Sequence, residues 1–348
     1  MVGLDIEAGS VAATEVHVNG VASVRASAIA PLSPGTFHDG EIIDPDRLAG
    51  ALKDLFSRNK LSKRVRLGVG NQRVIVRTVR LPALENPKEM EAAVRFQAQD
   101  QIPMPLDQAV LEHQVVGGVP AEEGTVPQVD VLVVAARRDM ISSFLRPIRQ
   151  AGLHPVGVDL SAFGMIRALA SDVGDEIAEV GERPAEAVLY CNLGDAMNLA
   201  VARGVSCLFT RVSHVGLESI AGEFGARMGL IPEHAMQWLL HVGLRRPLPE
   251  VEGDPEIVAA ARQALEAGMT TLIDELRLSL DYYGAQESAL PVAKILFSGP
   301  GSAIDGLPEQ MGEQLGMAVE ARRPAALSNL DAISAARLTL PFGLALER

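Results

Sequence analysis

Two cysteines, one tryptophan and 4 % aromatic residues in 348 positions rule out several kinds of protein at the start. Cys191 and Cys207 fall in no CxxC spacing and beside no histidine, which sets aside a disulfide-built fold and a thiolate metal centre. Both read as reduced thiols inside strands. The seven histidines are scattered, and His234 and His241, which share a helix face, have no carboxylates to complete a ligand set. No metal site and no catalytic residue is assigned. Long apolar runs are also missing, none approaching the roughly 18 residues that a membrane span needs. The chain opens directly into a strand-like Val2–Ile6, so neither a signal peptide nor a span is read and the expected location is the cytoplasm. Positive charge is short as well: 31 Lys and Arg against 44 Asp and Glu leave a net charge of −13, which repels nucleic acid and anionic lipid on average.

What is present is apolar material, 48 % of the chain against 22 % charged, enough for two or more cores. Val2 to Val18 reads as strand, tight turn and strand, Asn19-Gly20 as a hairpin turn, and Val21 to Ile29 as a third strand. The same grammar returns from Ala187 through Asn192 and Asp195, with Met197 to Ala202, a turn at Arg203-Gly204, and Val205 to Arg211. This degenerate repeat predicts two related halves, the first hairpin being three residues longer.

Between the meanders lies a β-α-β-β-α-β pattern. It comprises a strand over Arg73 to Leu81, a capped helix over Pro87 to Gln101, strands over Ala109 to Val116 and Val129 to Ala136, a helix from Asp139 to Ala151, and a strand near Val156 to Leu160. The stretch 119–127 reads as a hairpin tip, and 174–184 as the join between halves. Later, Val258, Ala261, Leu265, Met269, Leu272, Leu276 and Leu280 mark one long amphipathic helix. Lys294 to Ser298 reads as a buried strand running into Gly299-Pro300-Gly301-Ser302, an order compatible with phosphate binding. A helix closes the chain.

Several texts together resemble the PilM family of type IV pilus assembly proteins, within the actin and FtsA class. They are Arg77-Thr-Val-Arg-Leu-Pro82, Glu91 to Pro105, Glu112-His-Gln-Val-Val116, Phe209-Thr-Arg211 with Gly216, Asp274 to Tyr283, and Phe342-Gly-Leu-Ala345. The resemblance covers essentially the whole chain. It implies an α/β, actin-like fold of two ribonuclease-H-like halves with an inserted β-α-β-β-α-β subdomain of SHS2 type. The expected division is 1–76 with 325–348 for the first half, 77–160 for the insertion, 161–184 for a connecting helix and loop, and 185–324 for the second half.

By that resemblance, ATP with Mg²⁺ is the family cofactor, held by Asp5, Gly9, Ser10, Asn192, Gly194, Asp195, Gly216, Gly299, Gly301 and Ser302. The partner is the N-terminal peptide of the membrane protein PilN, in a groove between the insertion and the first half, for which Val76, Val79, Leu81, Val94 and Phe96 are the candidates. The protein is then peripheral to the membrane through its partner, with room for self-assembly. The departures point to a degenerate cleft. Glu7 puts a carboxylate where phosphate should approach, Ala12 replaces a lysine, and Asn192 replaces an aspartate. Leu217, Leu239, Leu278 and Pro300 stand where Gly, Lys, Arg and Gly are usual. An FtsA-like filament protein is the alternative, with no basic amphipathic helix read at the end of the chain to favour it. A sugar or acetate kinase of the same superfold is a third, and it would need an intact phosphate site.

Overall fold

The computed structural model describes residues 1–119, 126–178, 186–286 and 289–346. The opening meander is β1 (Val2–Ile6), β2 (Ser10–Asn19) and β3 (Val21–Pro31). Gly20 takes the left-handed φ of 74° that the two-residue hairpin requires. Two short strands, β4 (Phe37–His38) and β5 (Glu41–Ile42), precede α1 (Pro45–Arg58) and β6 (Arg64–Val69). Asp44 caps α1 by accepting from the Arg47 N–H at 3.0 Å, and the helix buries Leu48, Leu52, Leu55 and Phe56 on one face. Next come β7 (Ile75–Pro82), α2 (Pro87–Gln101), β8 (Ala109–Val119), β9 (Gln128–Arg137), α3 (Arg138–Gln150), β10 (His154–Leu160) and α4 (Ser161–Ala178). The second half contains β11 (Ala187–Leu193), β12 (Met197–Arg203), β13 (Ser206–Ser213), α5 (Leu217–Met228), α6 (Pro232–Val242) and the 30-residue α7 (Pro255–Gly284). It continues through β14 (Val292–Ser298), α8 (Leu307–Leu315) and β15 (Ala318–Ala321), and α9 (Ala332–Ala345) closes the described chain.

The repeat legible in the sequence is a repeat of sheets. One is ordered β10-β6-β1-β2-β3 and the other β15-β14-β11-β12-β13, each an antiparallel meander extended by parallel strands. Both meanders carry a register shift in the second hairpin, at Glu15/Val16 and at Val201/Ala202. α4 and α9 lie between the two sheets, sharing one apolar cluster with Ala12 and Val16 of the first and Val188, Tyr190 and Leu296 of the second. α9 approaches closely because glycines allow it. A Cβ on Gly3 would collide with the Pro341 carbonyl, and one on Gly343 with the Gly164 carbonyl. The outer faces are covered by α1 and α3 on the first sheet and by α5, α6 and α7 on the second.

The expected β-α-β-β-α-β order is observed, but sheet pairing splits it. β7, β9 and β8 form their own three-stranded antiparallel sheet with α2 packed on it. β10 instead pairs in parallel with β6, and Met140, Phe144 and Ile148 of α3 belong to the core of the first half. The insertion is therefore built on β7 to β9, and α3 with β10 completes the body. Of the hairpin tip read at 119–127, residues 120–125 lie outside the described residues. The join read at 174–184 begins as the last turn of α4, and its residues 179–184 lie outside them too. Among the described residues no helix is long and apolar enough to cross a membrane, and no three His, Cys, Asp or Glu side chains converge for a metal.

Candidate functional site

The two hairpin loops expected to flank a phosphate chain face each other and touch. The Gly9 N–H donates to Asp195 Oδ2 at 2.9 Å, and the Glu7 carboxylate lies against Gly194 where any side chain would collide with it. The Leu217 N–H donates to the Gly194 carbonyl at 2.9 Å, and a Cβ on Gly216 would strike the Asp195 carbonyl, so Gly216 is also packed on the second loop. Ser10 opens β2 at the end of the first loop, and Asp5 lies in β1.

Arg337 of α9, which the sequence reading missed, is the centre of this arrangement. Its guanidinium donates to Asp5 Oδ2 at 2.5 Å, Ser10 Oγ at 2.8 Å and the Ser10 carbonyl at 3.1 Å, and stands 3.1 Å from Glu7 Oε2. Asp5 and Arg337 are 4 % and 6 % exposed. The one signal available was a lone charge in a helix of small and apolar residues, Ala335-Ala336-Arg337-Leu338. A buried charge in such a helix demands a partner.

Burial pushes the Glu7 carboxyl up to about 8, against the opposing pull of Arg337 and with help from Asp195 and Asp5. Glu7 is therefore mostly protonated at neutral pH. Burial raises Asp195 as well, offset in part by the Gly9 N–H and by Arg337. One buried cation thus serves three acidic side chains, and burial favours the protonated form of Glu7 and of Asp195.

The remaining expected residues lie close by. Asn192 Nδ2 donates to Ser298 Oγ at 3.2 Å across the β11–β14 pair, while Asn192 Oδ1 has no partner among the described residues. Gly299 has φ 81° against the Leu193 carbonyl, and Gly301 packs on the Leu193 side chain. Ser302 Oγ donates back to the Gly299 carbonyl at 2.7 Å. The space between the halves, bounded by Asp5, Glu7, Gly70, Asn71, Asp195 and Asn198, amounts to about 50 Å³. A water needs roughly 10–15 Å³ by such a measure and ligand pockets start near 300 Å³, so the cleft admits a few waters in this conformation. Gln72 Nε2 donates to the Val212 carbonyl at 3.1 Å, and His38 faces Glu218 at 3.3 Å, both across the cleft.

A second feature is open. A cavity of about 300 Å³ separates β8 and β9 of the insertion from β10, α3 and α4 of the first half. Val74, Leu132, Val134, Ile141, Val158 and Phe163 give it apolar walls, and Glu112 and Asp159 add acidic groups. Asp159 is paired with Arg167 at 2.5 Å. None of the five residues expected to line a groove borders this cavity. Val79, Leu81 and Val94 are buried in the core under α2, at 2 %, 6 % and 0 % exposure. Phe96 points outward at 71 %, and Val76 borders a neighbouring cavity instead.

A family model described as "Type IV pilus assembly protein PilM" matches residues 3–345. The chain belongs to the PilM family. Its backbone superposes on a chain of a PilM-PilN type IV pilus biogenesis complex with a TM-score of 0.79 at 26 % identity, over 99 % of this chain and 97 % of that one. More distant likenesses show the fold alone. The ethanolamine utilization protein EutJ of Carboxydothermus hydrogenoformans gives a TM-score of 0.52 at 15 % identity, over 99 % of this chain and 88 % of that one. MreB 5 of Spiroplasma citri, bound to AMPPNP, gives 0.51 at 12 %, over 98 % and 93 %. The two-sheet architecture with an inserted subdomain is accordingly the actin-like fold that the resemblance implied. This PilM-family chain has Glu7 and Arg337 in contact at the place where the expected phosphate loops meet.

Proposed function

We propose that this PilM-family chain is a cytoplasmic scaffold of the type IV pilus assembly complex at the inner membrane, holding the N-terminal peptide of a PilN-like membrane protein in the groove of about 300 Å³. That groove is the observation that carries the reading. It is apolar, open, of ligand size, and it lies between the insertion and the first half. Extended peptide recognition needs apolar pockets for alternate side chains, which Ile141, Val134 and Phe163 supply. Glu112, with no ion pair among the described residues, is available to a basic residue of the peptide.

The nucleotide cleft in this reading is degenerate. A triphosphate with Mg²⁺ would have to displace the Arg337 contacts to Asp5 and Ser10, separate Gly9 from Asp195, and approach the carboxylates of Asp5 and Asp195. Each of those steps opposes binding, and Ala12 offers no cation in return. Protein groups join the halves across the cleft, Gly9 to Asp195 and Gln72 to Val212.

Calorimetric titration of the peptide into Ile141→Ala and Phe163→Ala tests the groove. Truncation of a well-packed anchor costs about 1–3 kcal/mol, so each variant should bind about 5- to 150-fold more weakly. Phe96→Ala should bind like the parent, because Phe96 lies outside the groove. Loss of binding in Phe96→Ala with the groove variants unaffected would move the partner site to the outer face of α2.

A further inference from the structure

A third cavity, of about 320 Å³, opens between residues 69–77, which lead into the insertion and begin β7, the β10–α4 junction at Leu160 and Ala162, and the second half. The second half contributes Asn198, Thr210, Arg211 and Val212. Its size falls at the lower end of small-molecule sites, about 300–1,000 Å³.

Its charge distinguishes it. Five carboxylates line the cleft and two line the partner groove, whereas this cavity is lined by Arg77 and Arg211 and by no carboxylate. Arg211 is already neutralised, donating to Glu275 Oε2 at 3.1 Å and to Ser279 Oγ at 3.3 Å. Arg77 is not. Its Nη1 donates to the Val76 carbonyl at 2.9 Å, and it forms no ion pair among the described residues. In a chain of net charge −13, an uncompensated guanidinium over a cavity free of acids is a site for negative charge. The other walls carry no charge: Val74, Ile75, Leu160 and Val212 are among the apolar ones, and Gln72, Thr210 and Asn198 are polar, Asn198 being 8 % exposed with no hydrogen-bond partner for its Oδ1 among the described residues. The carboxylates of the cleft lie beyond Asn71, Gln72 and Asn198, which line both spaces.

We propose that this cavity binds a small organic oxyanion, a phosphate ester or a carboxylate, with Arg77 holding the charged group and Thr210, Gln72 and Asn198 addressing the polar body. Guanidinium forks suit both anions, since each presents paired oxygens to parallel N–H groups. A ligand there touches the insertion and both halves at once, so its occupancy would restrain the insertion against the second half. The inference does not depend on the identity of the partner peptide.

The test is calorimetric titration of the full chain, in magnesium-free buffer of low ionic strength, with inorganic phosphate, glucose 6-phosphate, citrate and uncharged glucose. Saturable binding of glucose 6-phosphate or citrate without binding of glucose is expected, and the anion that binds more tightly identifies the source of the charge. Arg77→Gln should weaken that binding by about tenfold or more, the worth of a charge-assisted pair, while leaving the circular dichroism unchanged because Arg77 is exposed. Thr210→Val should weaken glucose 6-phosphate or citrate more than inorganic phosphate. Absence of saturable binding by every anion into the millimolar range overturns the proposal, and so does binding that Arg77→Gln leaves intact.

Discussion

Replacing Arg337 with methionine removes a cation of similar length from a site where nothing can take over its role. Asp5, 4 % exposed, would be left with its charge unpaired, and breaking a buried pair from one side costs about 3–5 kcal/mol. Ser10 Oγ also loses its donor at 2.8 Å, adding about 1 kcal/mol. Glu7 adds little at neutral pH, since its carboxyl, pushed up to about 8, is mostly protonated already. The sum, about 4–6 kcal/mol, is a large share of the 5–15 kcal/mol that holds a typical domain. Urea unfolding followed by far-UV circular dichroism reads it. Arg337→Met should shift the midpoint strongly downward, and Asp5→Asn combined with Arg337→Met should recover at least half of the loss, because the double variant buries no unpaired charge. A single variant within about 1 kcal/mol of the parent, or a double variant no better than the single, would refute the reading that Arg337 and Asp5 pair as ions.

Glu7 binds its proton more tightly folded than unfolded, with its folded carboxyl at about 8 against an ordinary 4.5. Its contribution is therefore most favourable at acid pH and declines as pH rises from about 4.5 to 8, by up to about 1.4 kcal/mol per unit. Glu7→Gln, which cannot ionise, should flatten that decline and be the more stable protein at pH 9; parallel pH profiles for the two would show that Glu7 is not buried as described. Gly194→Ala should lower stability by about 1–3 kcal/mol, the usual cost of overpacking, because its methyl would push the Glu7 carboxyl off its 3.1 Å contact with Arg337. Thermal unfolding at neutral pH checks this, and an unchanged midpoint would mean that the loops are not in contact.

Features legible in the sequence were those written in local pattern. Asn19-Gly20 and Arg203-Gly204 announced two hairpins, and the spacing of Val258 through Leu280 announced α7. The Gly-rich loops proved to converge, since each is fixed by its own turn chemistry. What escaped was set by contacts distant in sequence. Arg337 meets Asp5 only because Gly3, Gly164 and Gly343 let α9 lie close against β1 and α4, a packing that no periodicity reports. The groove was expected between the insertion and the first half, but the residues that line it escaped for a similar reason. It exists because β10 pairs with β6 and turns away from the sheet of the insertion, so its walls come from α3, α4, β8, β9 and β10 together. Val79, Leu81 and Val94 carry the apolar pattern of a binding face, but that pattern is satisfied by α2 packing on its own sheet. Alternation tells which side of a strand is buried without telling what buries it.

In the proposed function the partner peptide occupies the groove, and the contacts of Arg337 and Asp195 close the cleft to nucleotide. Titrating the N-terminal peptide of the PilN-like protein by calorimetry, with and without Mg·ATP, tests both parts together. Saturable peptide binding of the same affinity in both buffers, with no heat from Mg·ATP alone, is the expected result; micromolar nucleotide binding, or peptide binding that requires it, would overturn the proposal.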